Sequence, residues 1–226
     1  MQILTALWLA FATILATATV SAADARPRVL ILGDSISIGY TPEVRKLLQD
    51  TADVHRPVEN CQHTAHGLLR LKAWLGTNHW DVIHFNWGIW DTHMLDTKGQ
   101  LVRNESAATG PLRLRHTPAQ YRTNLVQILD TLTATGARLF WASTTPIMSR
   151  SGPRFDDIKT LNAVAAELMH ARRIPLNDLY EFTLPHVAEW QTSNRVHFNA
   201  TGNQNLGRRV ADQIRTALQQ PVRKSP

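Results

Sequence analysis

Arg28-Val29-Leu30-Ile31-Leu32-Gly33-Asp34-Ser35 is the stretch that decides the fold. Four aliphatic residues follow Arg28 without a polar interruption and stop at Gly33. A strand with one wet face would alternate apolar and polar residues; an unbroken run of this length is expected of a strand buried on both faces, as in a parallel sheet. Ser35 then falls at the rim of that sheet, among backbone N–H groups that no strand partner satisfies.

Working outward, Asp81–Trp87 (DVIHFNW), closed by Gly88, reads as a second strand, and Arg138–Ala142 (RLFWA) as a third. Ile174–Leu176 is a short fourth and Ala52–Val58 a weak fifth. Helical patterns lie between them. Thr41-Pro42-Glu43 has the residues of a helix start. Leu68, Leu71 and Leu75 fall on one face, as do Tyr121, Leu125, Ile128, Leu129 and Leu132 behind a capping box at Thr117 and Gln120. Ile158, Leu161, Val164, Ala165 and Leu168 make a further stripe, and Leu206, Val210, Ile214 and Leu218 the last. Strands alternating with helices imply right-handed crossovers and an α/β fold with a parallel sheet covered on both faces. Sites in such sheets lie at the carboxyl ends of the strands, so the residues after Leu32, Trp87, Ala142 and Leu176 are the ones to inspect. The segment from Thr92 to His116 has no clear period and follows the second strand, where it is able to overhang that edge.

The chain of 226 residues suits one domain. Leu4–Val20 is almost wholly apolar and ends in Ser21-Ala22-Ala23, the pattern of a signal peptide cleaved after Ala22, although Met1-Gln2 carries no basic residue. The expected organisation is a signal peptide over 1–22 and one domain over 23–226, periplasmic or extracellular, monomeric and not inserted in a membrane; an uncleaved anchor is the other reading. The lone Cys61 forms no internal disulfide and supports no cysteine-based metal site. The formal charge of +6 comes from scattered arginines, with Arg103, Arg113, Arg115 and His116 the nearest thing to a patch. Nucleic-acid binding would need a sharper cluster and a recognition motif. Attraction to acidic polysaccharide is a weaker reading of the same charge.

Two residues carry chemistry when taken together. A serine hydroxyl is a weak nucleophile that needs an adjacent base, and a histidine is the usual one. Ser35 lies after the first strand and His197, in Asn194-Arg195-Val196-His197-Phe198, lies in a loop just before the last helix.

At these residues the sequence resembles the SGNH, or GDSL, hydrolases. Gly33-Asp34-Ser35-Ile36-Ser37-Ile38-Gly39-Tyr40 resembles the first block of that family, and Asn60–Gly67 (NCQHTAHG) the second, with Gly67 as its glycine. Gly88-Ile89-Trp90-Asp91 resembles the third, normally Gly-x-Asn-Asp, and Asn194-x-x-His197 the last, normally Asp-x-x-His. VIHFNWG, WASTTP and PLNDLY are similar to one bacterial branch, and the resemblance spans about Arg28 to Arg215 in order. It implies a flavodoxin-like three-layer α/β/α sandwich on a five-stranded parallel sheet, with no cofactor and no metal. It further implies Ser35 as nucleophile, His197 as base, and an oxyanion hole from the N–H groups of Ser35 and Gly67 with a side-chain donor of the third block. Two positions depart from the pattern. Trp90 replaces the asparagine; its indole N–H remains a donor, Asn86 on the preceding strand is an alternative, and the ring is alternatively a sugar platform. Asn194 replaces the acid that orients the histidine, either with its amide oxygen towards the ring, as in Cys-His-Asn enzymes, or with Glu189 or a backbone carbonyl taking over. Asp34 and Asp91 are expected to be structural rather than a glycosidase pair. The expected activity is acyl or acetyl ester hydrolysis on small molecules or polysaccharides, carbohydrate deacetylation foremost. A degenerate polysaccharide-binding scaffold and a lipid esterase or thioesterase are the alternatives.

Overall fold

The computed structural model describes residues 26–102, 108, 110–147 and 153–219. The segment 1–22, expected to be a signal peptide, and Arg103 lie outside them. The chain runs β1 (Arg28–Leu32), α1 (Ser35–Leu48), β2 (Asp53–His55), α2 (Thr64–Leu75), β3 (Val82–Phe85), β4 (Met94–Leu95), β5 (Arg113–Leu114), α3 (Pro118–Thr133) and β6 (Arg138–Ala142). It continues through α4 (Pro153–Ala171), β7 (Leu176–Asn177), α5 (Leu179–Thr183), a 3-10 turn, α6 (Val187–Trp190) and α7 (Ala200–Gln219). Five strands form one parallel sheet in the order β2-β1-β3-β6-β7. This is the three-layer α/β/α sandwich expected, flavodoxin-like in its strand order.

The double-faced burial expected of RVLIL follows from this order. Val29 and Ile31 pack with α1 and α7 on one face, and Leu30 and Leu32 pack with α2 and α3 on the other. All four are 0–2 % exposed, and each such side chain contributes about 1.5–3 kcal/mol by leaving water. Phe140 and Ala142 against Leu139 and Trp141 split the same way on β6.

The structure corrects some boundaries. α1 begins at Ser35, not at Thr41, with Pro42 inside it. The Asp34 carboxylate accepts from Ile36 N–H at 2.9 Å and so caps the helix seven residues before Thr41, the cap the proline suggests. Near the turn that Pro42 leaves open, the Thr41 hydroxyl donates to the Ser37 carbonyl at 2.6 Å. The weak strand 52–58 shortens to β2, and the short strand 174–176 shifts to Leu176–Asn177. Within the irregular stretch 92–116, β4 and β5 pair antiparallel. α3 carries both halves of its capping box at Thr117 and Gln120.

The sheet register sets the site. Leu32 pairs with Phe85, and Asn86 N–H donates to Leu32 O at 3.0 Å. The turns Gly33–Ser35 and Asn86–Gly88 therefore leave the sheet side by side. α1 and α7 lie against each other with Gly207 at the contact: a Cβ there would meet Glu43 Cβ at 2.6 Å. That close approach brings the start of α7, and with it His197, over the start of α1.

Candidate active site

Ser35 is the first residue of α1, so its N–H has no partner within the helix. Its Oγ lies 2.8 Å from His197 Nε2, across 162 residues of sequence. The loop before α7 is held by Thr192 N–H donating to His197 O at 2.8 Å and Asn199 N–H donating to Trp190 O at 2.8 Å.

Asn194 is where the sequence places it, but its amide is turned the other way from the expectation. Asn194 Oδ1 accepts from the N–H groups of Val196 and His197, both at 2.9 Å, and from the Thr192 hydroxyl at 3.0 Å. With the oxygen so engaged, Nδ2 faces His197 Nδ1 at 2.8 Å. An amide NH2 is only a donor, so Nδ1 must accept, and the ring proton resides on Nε2. The imidazole then points an N–H, rather than a lone pair, at Ser35. Glu189 does not take over; its carboxylate lies 4.0 Å from His186.

The turn that carries Ser35 is fixed by a residue the sequence reading missed. Arg56, after β2, donates from Nε to Ser37 Oγ at 2.9 Å and from Nη2 to the carbonyls of Gly33 at 2.9 Å and Asp34 at 3.3 Å. Its Nη1 reaches Pro57 O and Glu59 O at 2.6 and 3.2 Å. Cys61 N–H adds a bond to Gly33 O at 3.2 Å. One guanidinium thus ties the turn that presents Ser35 to the loop after β2. No motif in the sequence signals this, because the partners are mostly carbonyls. Gln62, beside that loop, holds φ at +49°, a left-handed backbone that costs a non-glycine residue about 1 kcal/mol or more; nothing in a glutamine codon announces it.

Gly67 is corrected. Its N–H donates to His63 O at 2.9 Å inside α2 and is committed there rather than free in an oxyanion hole. Its role is steric: a Cβ would meet the Trp87 ring at 2.9 Å, so glycine lets α2 seat on that buried indole. Asn86 is committed as well, its Nδ2 donating to Ala142 O at 2.7 Å and Thr144 Oγ1 at 3.0 Å. Trp90 keeps a free donor, since its Nε1 has no hydrogen-bond partner among the described residues. As a sugar platform it is poorly disposed: the His93 ring packs at 4.8 Å and Arg115 lies 5.7 Å from its centroid.

Both suspected acids are structural. Asp34 caps α1 and is buried; burial pushes its carboxyl up to about 6, against the pull of Ile36 N–H and Arg56. Asp91 is fully buried and accepts from Thr64 N–H at 3.1 Å, from the Thr64 hydroxyl at 2.5 Å and from His116 Nδ1 at 2.6 Å. It binds the start of α2 to the turn after β3. Among the described residues no group of His, Cys, Asp and Glu could hold a metal ion, and no helix is long and apolar enough to cross a membrane.

The sequence model of the GDSL-like lipase/acylhydrolase family matches residues 31–204. The chain belongs to that family. As an acylhydrolase-family protein it shares its fold with a lipase/acylhydrolase from Enterococcus faecalis, at 21 % identity over 88 % of this chain and 100 % of that one, with a TM-score of 0.67. An acetyl xylan esterase is similar at 17 % identity, 83 % and 99 % coverage and TM-score 0.66. A Geobacillus acetyl-xylooligosaccharide esterase is similar at 14 % identity, 89 % and 98 % coverage and TM-score 0.66. No curated protein sequence matches the chain. The family match runs through Ser35 and His197 and ends in α7.

Proposed function

We propose that this acylhydrolase-family protein is an exported serine hydrolase of short acyl esters, with acetylated carbohydrates the foremost substrates. The observation that carries the reading is the 2.8 Å contact of Ser35 Oγ with His197 Nε2. Once the Asn194 amide has turned and the ring proton has moved from Nε2 to Nδ1, Ser35 Oγ attacks the ester carbonyl as its proton passes to Nε2. The oxyanion is stabilised by Ser35 N–H, assisted by the helix dipole of α1, and by the free Nε1–H of Trp90; each preorganised donor is worth about 10²–10³ in rate. The imidazolium returns its proton to the leaving alcohol, and water then resolves the acyl-serine by the same route. Support for acetylated sugars comes from the esterases among the structural relatives, and support for export comes from the apolar segment Leu4–Val20.

Asn194 sets the pace. Its NH2 must leave Nδ1 before Nε2 can take a proton, so the resting site is a slow one. The same amide favours a second reading, a glycan-binding protein that keeps the scaffold without turnover. Hydrolysis of 4-nitrophenyl acetate by the purified protein, abolished in Ser35→Ala, is the expected result, together with labelling of Ser35 by a serine-directed phosphonate. Equal rates in both proteins, or no labelling, would overturn the hydrolase reading and leave glycan binding.

A further inference from the structure

Arg115 stands out among the cations. It is half-buried, yet among the described residues its guanidinium has no carboxylate partner and no hydrogen-bond acceptor. It is laid against Trp90, 5.7 Å from the ring centroid, and its backbone N–H donates to His93 O at 2.7 Å, which anchors it beside the turn after β3. The acid whose charge reaches it is Asp91, but both Asp91 oxygens are turned to Thr64, and one of them also to His116. On its other flank lies His63, which burial first and Arg115 second push down to about 4, so it is uncharged at neutral pH. His63 belongs to the loop that Cys61 ties to Gly33. Arg115 is therefore set among the two loops that flank Ser35.

A cation withdrawn from water without a partner is costly until an anion supplies acceptors. A guanidinium presents its N–H groups as a planar fork, which suits the two oxygens of a carboxylate. We propose that Arg115, held against Trp90, is a binding site for a carboxylate carried by the ester substrate. The inference rests on the hydrolase reading and narrows its substrates to esters of acidic molecules, the acid being either on the sugar or on the acyl chain.

The test is calorimetric titration of the Ser35→Ala protein with D-glucuronate, with monomethyl succinate and with neutral methyl glucoside. At least one of the two acids should bind saturably and more tightly than the neutral sugar. Arg115→Met in the same background should weaken that acid by about tenfold or more. Binding of glucuronate alone places the acid on the sugar; binding of the succinate alone places it on the acyl side. If Arg115→Met does not fold, Arg115→Lys serves, because it keeps the charge and loses the fork, and a several-fold loss is expected. No saturable binding of either acid, or unchanged affinity in the variants, would overturn the proposal. Turnover of aryl acetate by the wild type is read separately, so an inactive Ser35 leaves the anion result standing.

Discussion

Replacing Asn194 by aspartate tests the tautomer directly. In Asn194→Asp one carboxylate oxygen keeps the N–H groups of Val196 and His197, now at 2.9 Å from Oδ1. The other takes the place of the NH2 that lies 2.8 Å from His197 Nδ1. That atom changes from donor to acceptor, so the ring proton moves to Nδ1 and Nε2 presents its lone pair to Ser35 Oγ at 2.8 Å. In the wild type the alternative is to rotate the amide, which gives up two backbone hydrogen bonds of about 1 kcal/mol each. About 2 kcal/mol corresponds to roughly a thirtyfold slower reaction. Loss of the carboxylate that stabilises the imidazolium adds to this, up to the roughly 10⁴ seen when a triad aspartate becomes asparagine. kcat/KM on 4-nitrophenyl acetate is therefore expected to rise by about 10²–10⁴ in Asn194→Asp. Nitrogen NMR of the histidines gives the second readout: Nε2–H in the wild type and Nδ1–H in the variant. A folded Asn194→Asp protein no faster than the wild type, or a wild-type His197 already protonated at Nδ1, would refute the reasoning.

Two further outcomes follow from the core of the site. Asp34 titrates at about 6 in the folded protein against 3.8 for the free side chain. The native state thus holds a proton that the unfolded chain has released, and stability from this group falls as pH rises from about 4 to about 6, by up to about 3 kcal/mol. Asn keeps the cap, so the unfolding free energy of Asp34→Asn relative to wild type should grow between pH 4 and pH 7 in urea titrations. His63 and His84, both pushed down to about 4 by burial, titrate in the opposite sense but are common to both proteins. A difference that does not change with pH would contradict the burial argument. Gly67→Ala places a Cβ 2.9 Å from the Trp87 ring. The overpacking cost of about 1–3 kcal/mol exceeds the helix-propensity gain of up to about 1 kcal/mol, so the urea midpoint should fall; a rise would mean that α2 shifts freely on Trp87.

The layers and the order of the chemistry are legible in residue pattern alone. RVLIL and RLFWA are apolar at consecutive positions because both faces of β1 and β6 are covered, and such runs announce a parallel sheet before any coordinates exist. The rule that sites lie beyond strand ends then singled out Ser35, and the pairing logic of serine and histidine singled out His197. The features that emerge only on folding depend on direction rather than residue type. An asparagine at position 194 is the same letter whichever way its amide points; two backbone N–H groups in one turn fix the oxygen and leave the nitrogen on the histidine. Gly67 is legible as a special position but not as a seat for Trp87, because the contact joins a helix to a residue 20 positions away in the turn after β3. Arg56 and Arg115 look alike in a list of scattered cations. Packing makes the first a clamp on five polar atoms of the Ser35 turn and its neighbouring loop, and sets the second beside Trp90 with no acceptor among the described residues.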